Sequence, residues 1–201
     1  MIITIGRQHG SNGRDIALKL ASDLNIPCYD KEIVDEASRN SEFCKEIVDS
    51  YDEKRVSAYA FAAPQYASLG SGFHLNMQVA STQFDAIRSI AERGDCIFVG
   101  RCADYVLRNR KDLVKVFVYA DYAYRVRTIM ERKNINEEQA KKLIKEVDRD
   151  RSSYYRYYTD QNWGDVRNYE ICLDSSRTGV DGAAHVIEAY IQNMNNENAV
   201  Y

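Results

Sequence analysis

The chain is expected to fold as a three-layer α/β structure, about five mostly parallel strands flanked by helices. Three observations carry that expectation. The runs Cys96-Ile97-Phe98-Val99 and Leu113 to Tyr119 are apolar with almost no alternation, the mark of strands covered on both faces. The opening Ile2 to Ile5 is a short apolar strand that leads into a glycine-bearing loop, Gly6 to Gly13. Helical spacing follows at once, at Ile16, Ala17, Leu20, Ala21 and Leu24.

The elements then read in order. Ile26 to Tyr29 is a second brief strand, ending in Asp30-Lys31-Glu32 ahead of a helical pattern at Ile33, Val34 and Ala37. Residues 40–76 are less regular, with Phe43, Ile47, Val48 and Tyr51 at helical spacing before Pro64 and Gly70-Ser71-Gly72, and are expected to form a helical insertion. Met77 to Arg93 is a helix closed by Gly94, and Cys96 to Val99 is the third strand. Leu113 to Tyr119 is the fourth strand, followed by a helix from Tyr122 to about Arg132. The segment 136–160 is a second excursion: 11 of the 23 residues from Asn136 to Tyr158 are charged, so that helix cannot be core throughout. Tyr169 to Leu173 supplies the fifth strand and Val180 to Met194 the last helix, with Asn193 to Tyr201 expected to fray.

With 201 residues and 45% apolar content, one domain is expected, the two excursions being insertions within it. No run approaches the roughly 18 to 20 apolar residues of a membrane span, and the opening residues lack the basic and apolar regions of a secretory signal, so a cytoplasmic location is expected. Five cysteines, odd in number and without a Cys-x-x-Cys pair, read as small apolar residues. A net charge of −3 argues against nucleic acid as a partner.

The loop Gly6-Arg7-Gln8-His9-Gly10-Ser11-Asn12-Gly13-Arg14-Asp15 sits where a phosphate-binding loop turns from strand to helix. Backbone amides and the positive end of the helix bind phosphate there, and glycines permit close approach. Gly6, Arg7, Gly10, Ser11, Asn12, Gly13, Arg14 and Asp15 are therefore the candidate donor-nucleotide residues. The full Gly-Lys-Ser/Thr signature is absent. If Gly13-Arg14-Asp15 stands for it, Arg replaces Lys and Asp15 replaces the magnesium-binding hydroxyl; if the helix sets the register, Gly13 falls at the Lys position. A glycine turn with no ligand is the alternative. His9 reads equally as a phosphate contact and as a loop histidine.

The segments Ile3-Thr-Ile-Gly-Arg-Gln-His-Gly-Ser-Asn-Gly-Arg-Asp-Ile-Ala17, Ile26-Pro-Cys-Tyr-Asp-Lys-Glu32, Val99-Gly-Arg-Cys-Ala-Asp104, Val116-Phe-Val-Tyr-Ala120, Asp148-Arg-Asp-Arg151 and Tyr169-Glu-Ile-Cys-Leu-Asp174 resemble, in order and spacing, the cytidylate kinase-like family of P-loop phosphotransferases. The resemblance implies a P-loop NTPase fold, ATP as phosphate donor, Mg²⁺, and a nucleoside monophosphate such as CMP or dCMP as acceptor. It also implies a lid helix at 136–160 carrying Arg149 and Arg151, with Asp150 at a base-reading position; the insertion at 40–76, expected on the acceptor side, does not align with the acceptor domain of cytidylate kinases. Val99, Cys102 and Glu36 stand where cytidylate kinases proper carry Asp, Asp and Arg.

Other candidates follow from strand ends. Arg101 ends an apolar strand, at the edge where open α/β sheets bind ligands, either paired with Asp104 or Asp30 or in contact with phosphate. Asp104 is a magnesium candidate through water, or a carboxylate serving a helix dipole. Asp30 is either a helix cap or a carboxylate near the acceptor, with Lys31 beside it to meet phosphate. Asp148 to Arg151 lies on a helix that is either merely solvated or swings over ATP. Tyr154, Tyr155, Tyr157, Tyr158 and Trp163 either pack that helix onto the body or a second subunit, or stack on a base. The expected activity is ATP-dependent phosphate transfer by Arg14, Arg101, Arg149, Arg151 and Asp30. A kinase of another small metabolite and a nucleotide-binding protein without turnover are the alternatives.

Overall fold

The computed structural model describes residues 1–30, 32–39 and 70–198. Five strands, β1 (Ile2–Arg7), β2 (Cys28–Tyr29), β3 (Cys96–Val99), β4 (Leu113–Tyr119) and β5 (Ile171–Asp174), form one sheet in the order β2-β3-β1-β4-β5. Every pairing is parallel, with Ile2 opposite both Cys96 and Leu113. β1 is therefore central, and the loop that leaves it opens between neighbours lying on opposite sides. In open α/β sheets that is the place where ligands bind.

Alternation along the strands divides the core in two. Ile3, Ile5, Ile97, Val99, Val116 and Val118 face α1 (Gly13–Leu24) and α7 (Ser175–Asn198), where they meet Ile16, Leu20, Ile187 and Ile191. Ile2, Cys96, Phe98 and Leu113 face the other way, onto Ile33 of α2 (Glu32–Arg39), Ile87 and Ile90 of α3 (Gly70–Ala91) and Ala103 of α4 (Ala103–Val106). Burial on both faces explains why these strands lack a polar alternation.

Two further helices pack on one another at one end and on the body at the other. α5 (Tyr122–Lys133) starts at Asp121, whose side chain accepts from the amides of Ala123 and Tyr124, and ends at left-handed Asn134. α6 (Glu137–Thr159) opens with a capping box in which Asn136 and Gln139 exchange side-chain and backbone bonds. Val126 and Ile129 of α5 pack on Ala140 and Ile144 of α6. Further along, Tyr154 and Tyr155 close over Cys102, with Phe84, Tyr158 and Trp163 at the border. The tyrosines thus pack the charged helix onto the body.

Some boundaries differ from expectation. The helix before β3 begins at Gly70 rather than Met77, and the last helix continues to Asn198 instead of fraying from Asn193. Gly179, with φ 66 and ψ −170, breaks that helix just before Val180, where the apolar pattern starts. Residues 40–69 of the expected insertion, and Lys31, lie outside the described residues. Among the described residues, no helix is long and apolar enough to cross a membrane.

Candidate phosphate-binding site

The loop between β1 and α1 is held from several directions. The Gln8 amide donates to the Val118 carbonyl at 3.0 Å. The Ser11 hydroxyl lies 2.9 Å from the Gln8 carbonyl and 3.0 Å from that of Val118, while Ser175 Oγ donates to the Ser11 carbonyl at 2.6 Å. Ser11 is wholly buried, so its hydroxyl shapes the loop rather than presenting itself to a ligand. Gly10 has φ +82, and a Cβ there would come within 2.8 Å of the Arg125 carbonyl oxygen, so the loop needs glycine at this place.

The loop delivers the chain to the first turn of α1. Asn12, in left-handed conformation, makes no side-chain cap bond, and the first backbone bond of the helix runs from the Ile16 amide to the Asn12 carbonyl. The amides of Gly13, Arg14 and Asp15 precede that bond and point out of the helix end, where the dipole is positive. Asn12 is instead held sideways, donating to Tyr124 Oη at 2.9 Å and accepting from Arg132 at 2.8 Å.

A cleft of about 570 Å³ lies against this loop and helix end. Among the described residues six cationic side chains line it, those of Arg7, Arg14, Arg101, Arg132, Lys133 and Arg151, against one carboxylate, that of Asp30. A chain with an overall charge of −3 has therefore gathered a concentrated positive field at one place.

Asp30 and Arg101 come from the ends of neighbouring strands. Arg101 Nη1 donates to Asp30 Oδ1 at 2.6 Å and to the Val99 carbonyl at 3.0 Å, and Arg14 Nε reaches Asp30 Oδ2 at 2.8 Å. Arg101 is only 3% exposed and sits at φ 52, in the left-handed region. Burial would raise the Asp30 carboxyl, but the charges and bonds of Arg101, Arg7 and Arg14 outweigh it and hold it below the usual range. Asp30 thus clamps two arginines with its side chain.

The middle of α6 is tied directly to the loop. Asp148 Oδ1 accepts from the His9 amide at 2.7 Å, Asp148 Oδ2 pairs with Arg125 at 2.5 Å, and Arg151 Nη1 donates to the Arg7 carbonyl at 3.1 Å. Of the two lid candidates, Arg151 lines the cleft; Arg149 has a half-exposed side chain 3.5 Å from Asp150, outside the cleft lining. Asp150 lies off the lining as well.

His9 lines the cleft with its Nε2 buried and, among the described residues, without a hydrogen-bond partner. Burial, then the charges of Arg151, Lys133, Arg7 and Arg125, lower its imidazole from 6.5 to about 4. The unfolded chain therefore binds a proton near pH 6.5 that the fold refuses, and this contribution to stability is present above that pH and lost as pH falls toward 4. A nuclear magnetic resonance titration of the three histidines is expected to find His9 neutral down to about pH 4. Added pyrophosphate should move its titration upward by neutralising the surrounding cations. Titration near 6.5 without ligand would contradict the buried, cation-ringed environment.

Mg²⁺ fits these residues poorly as a protein-held ion. Asp15, in the first turn of α1, pairs with Arg132. Asp104 is buried beside a second cavity of only about 20 Å³, room for about one water, and receives the Tyr155 hydroxyl at 2.7 Å. Burial raises its carboxyl despite that bond. With both Asp30 oxygens engaged by arginine, no group of three or more His, Cys, Asp or Glu side chains converges among the described residues. Asp15 and Asp104, expected as magnesium ligands, are instead turned to Arg132 and Tyr155.

Arg132, Lys133 and Arg125 were not singled out by the sequence, and Asp148 only as part of the charged run Asp148 to Arg151. Arg125 and Arg132 stand seven residues apart and so share a helix face, the one signal that could have found them. Two charged residues in a helix otherwise read as solvated surface.

Comparison with known proteins agrees with this architecture. The model for the cytidylate kinase-like family matches residues 2–177. Cytidylate kinase from Methanococcus maripaludis is 32% identical over 108 residues, covering 52% of this chain and 60% of that protein, and cytidylate kinase from Methanopyrus kandleri is 28% identical over 112 residues, 52% and 58% respectively. The matched part thus spans about three-fifths of the length of these curated relatives. A crystal structure of an uncharacterized protein from Eubacterium ventriosum superposes with a TM-score of 0.74 at 30% identity, covering 96% of this chain and 98% of that one. Shikimate kinase from Bacteroides thetaiotaomicron, at 10% identity and a TM-score of 0.56 over 96% and 98% of the two chains, shares the fold.

Proposed function

Because the chain belongs to the cytidylate kinase-like family, we propose that it transfers the γ-phosphate of ATP to a nucleoside monophosphate, with CMP and dCMP the first candidates. The observation that carries this reading is the cleft itself: six cations and one carboxylate gathered at the amide-bearing end of a helix. Phosphoryl transfer asks a protein mainly for positioning and neutralisation, which such a set supplies.

In this reading the amides of Gly13 and Arg14, with Arg7 and Lys133, hold the donor phosphates. Arg151 reaches the transferred group from α6. Asp30 fixes Arg101 and Arg14 at the acceptor side; clamped between guanidinium groups, its carboxylate orients rather than takes a proton. Mg²⁺ would accompany ATP as the nucleotide's own counter-ion, held by phosphate oxygens and water.

ADP release measured across a panel of nucleoside monophosphates and small alcohols tests the proposal. Release stimulated by CMP or dCMP is the expected result. Stimulation by a small alcohol alone would reassign the acceptor, and tight ATP binding with no stimulated release would leave a nucleotide-binding protein without turnover.

A further inference from the structure

We propose that Arg7 replaces the lysine a phosphate-binding loop normally carries, and that Gly13 is glycine because the Arg7 side chain occupies the space a residue there would need. This rests on the phosphotransferase reading of the cleft. The missing lysine is the chief local departure from the Gly-Lys-Ser/Thr signature, and the structure offers a reason for it. The helix begins at Gly13, so the helix-set register places that glycine at the lysine position.

A Cβ on Gly13 would lie 2.5 Å from Cβ of Arg7 and 3.1 Å from its Cγ. The two positions therefore cannot both carry ordinary side chains. Strand alternation produces the conflict: Arg7 continues the Ile3-Ile5 face of β1, the face against α1, so its stem crosses the first turn of that helix. From there Arg7 lines the cleft, while its carbonyl is fixed by Arg151 at 3.1 Å. Its charge acts on both Asp30 and His9, which line the same cleft. A guanidinium at the end of β1 can address phosphate oxygens in the same cleft that a lysine from the helix would reach. It does so with a planar fork of donors in place of a point charge.

The exchange of the two residues is the test. Arg7→Ala would keep the offending Cβ, so the informative pair is Arg7→Gly and Arg7→Gly/Gly13→Lys. Binding of inorganic triphosphate is measured by calorimetry and folding by thermal melt. Arg7→Gly is expected to weaken binding on the order of 10- to 100-fold, as for loss of a charge-assisted bond. Gly13→Lys alone should melt early, and the double variant should recover most of the lost affinity. A folded double variant binding no better than Arg7→Gly overturns the proposal, as does Arg7→Gly binding like the unaltered chain.

If the double variant does not fold, Arg7→Met decides, since it keeps the stem over Gly13 without the charge. It should melt normally and bind triphosphate as weakly as Arg7→Gly; normal binding overturns the inference. ADP release by the unaltered chain is scored separately. Arg7-dependent triphosphate binding without turnover would sink the kinase reading and leave this inference standing, whereas turnover indifferent to Arg7 would do the reverse.

Discussion

Arg101→Ala is expected to destabilise the fold by about 3 kcal/mol, near the lower end of the cost of breaking a buried ion pair, or roughly 6–12 °C in melting temperature. Arg101 is 3% exposed, and its guanidinium is the nearest charge on the Oδ1 side of Asp30. Removing it leaves the Asp30 carboxylate with fewer cations to offset the burial that raises it. Arg14 remains on Oδ2, which is why the loss stays near the lower figure. Asp30→Ala should cost a similar amount by removing the carboxylate that Arg101 and Arg14 share, and Asp30→Ala/Arg101→Ala should cost less than the sum, because the two losses overlap in one ion pair. Melting curves of the three variants check this; additive losses would show that the two residues do not stabilise each other.

The second large effect is expected on turnover. Arg151→Ala should lower the proposed phosphate transfer on the order of 10²- to 10³-fold, the cost of losing one preorganised donor to a developing charge, while melting changes little. Arg149→Ala, two residues away but turned to solvent beside Asp150, should leave rate and melting near those of the unaltered chain. Steady-state ADP release with saturating ATP distinguishes the two. Equal losses would mean that the helix contributes only a diffuse positive field.

Much of this was legible from the residues alone. The five strands, the glycine loop and the strand-end positions of Asp30 and Arg101 follow from local patterns, because burial on both faces and a tight turn each leave a mark within a few residues. What escaped depends on pairs distant in sequence. Whether Arg101 meets Asp30 or Asp104 is a question of strand register across 71 residues, and no short pattern records it. Asp104 reads equally as a magnesium candidate through water and as a carboxylate serving a helix dipole, and no local pattern records that Tyr155, from another helix, donates to it. The contact between Arg7 and Gly13 escapes for another reason: only six residues apart, they meet because a strand and the helix after it fold back on each other.

The central place of β1 also constrains how the chain can reach its fold. Its sheet partners, β3 and β4, begin 94 and 111 positions after Ile2, and the α7 residues that cover its α1 side lie beyond Gly179. At synthesis rates of about 5–20 residues per second, the first strand waits several seconds with its hydrogen-bonding edges unsatisfied, and its apolar covering is finished only once Ala183 to Ile191 have been made. Folding is thus weighted toward late, non-local pairing, the regime in which loop closure slows the rate. Chaperone dependence during translation should therefore be greatest while Ile2 to Ile5 is exposed, and should fall once the segment through Tyr119 has emerged.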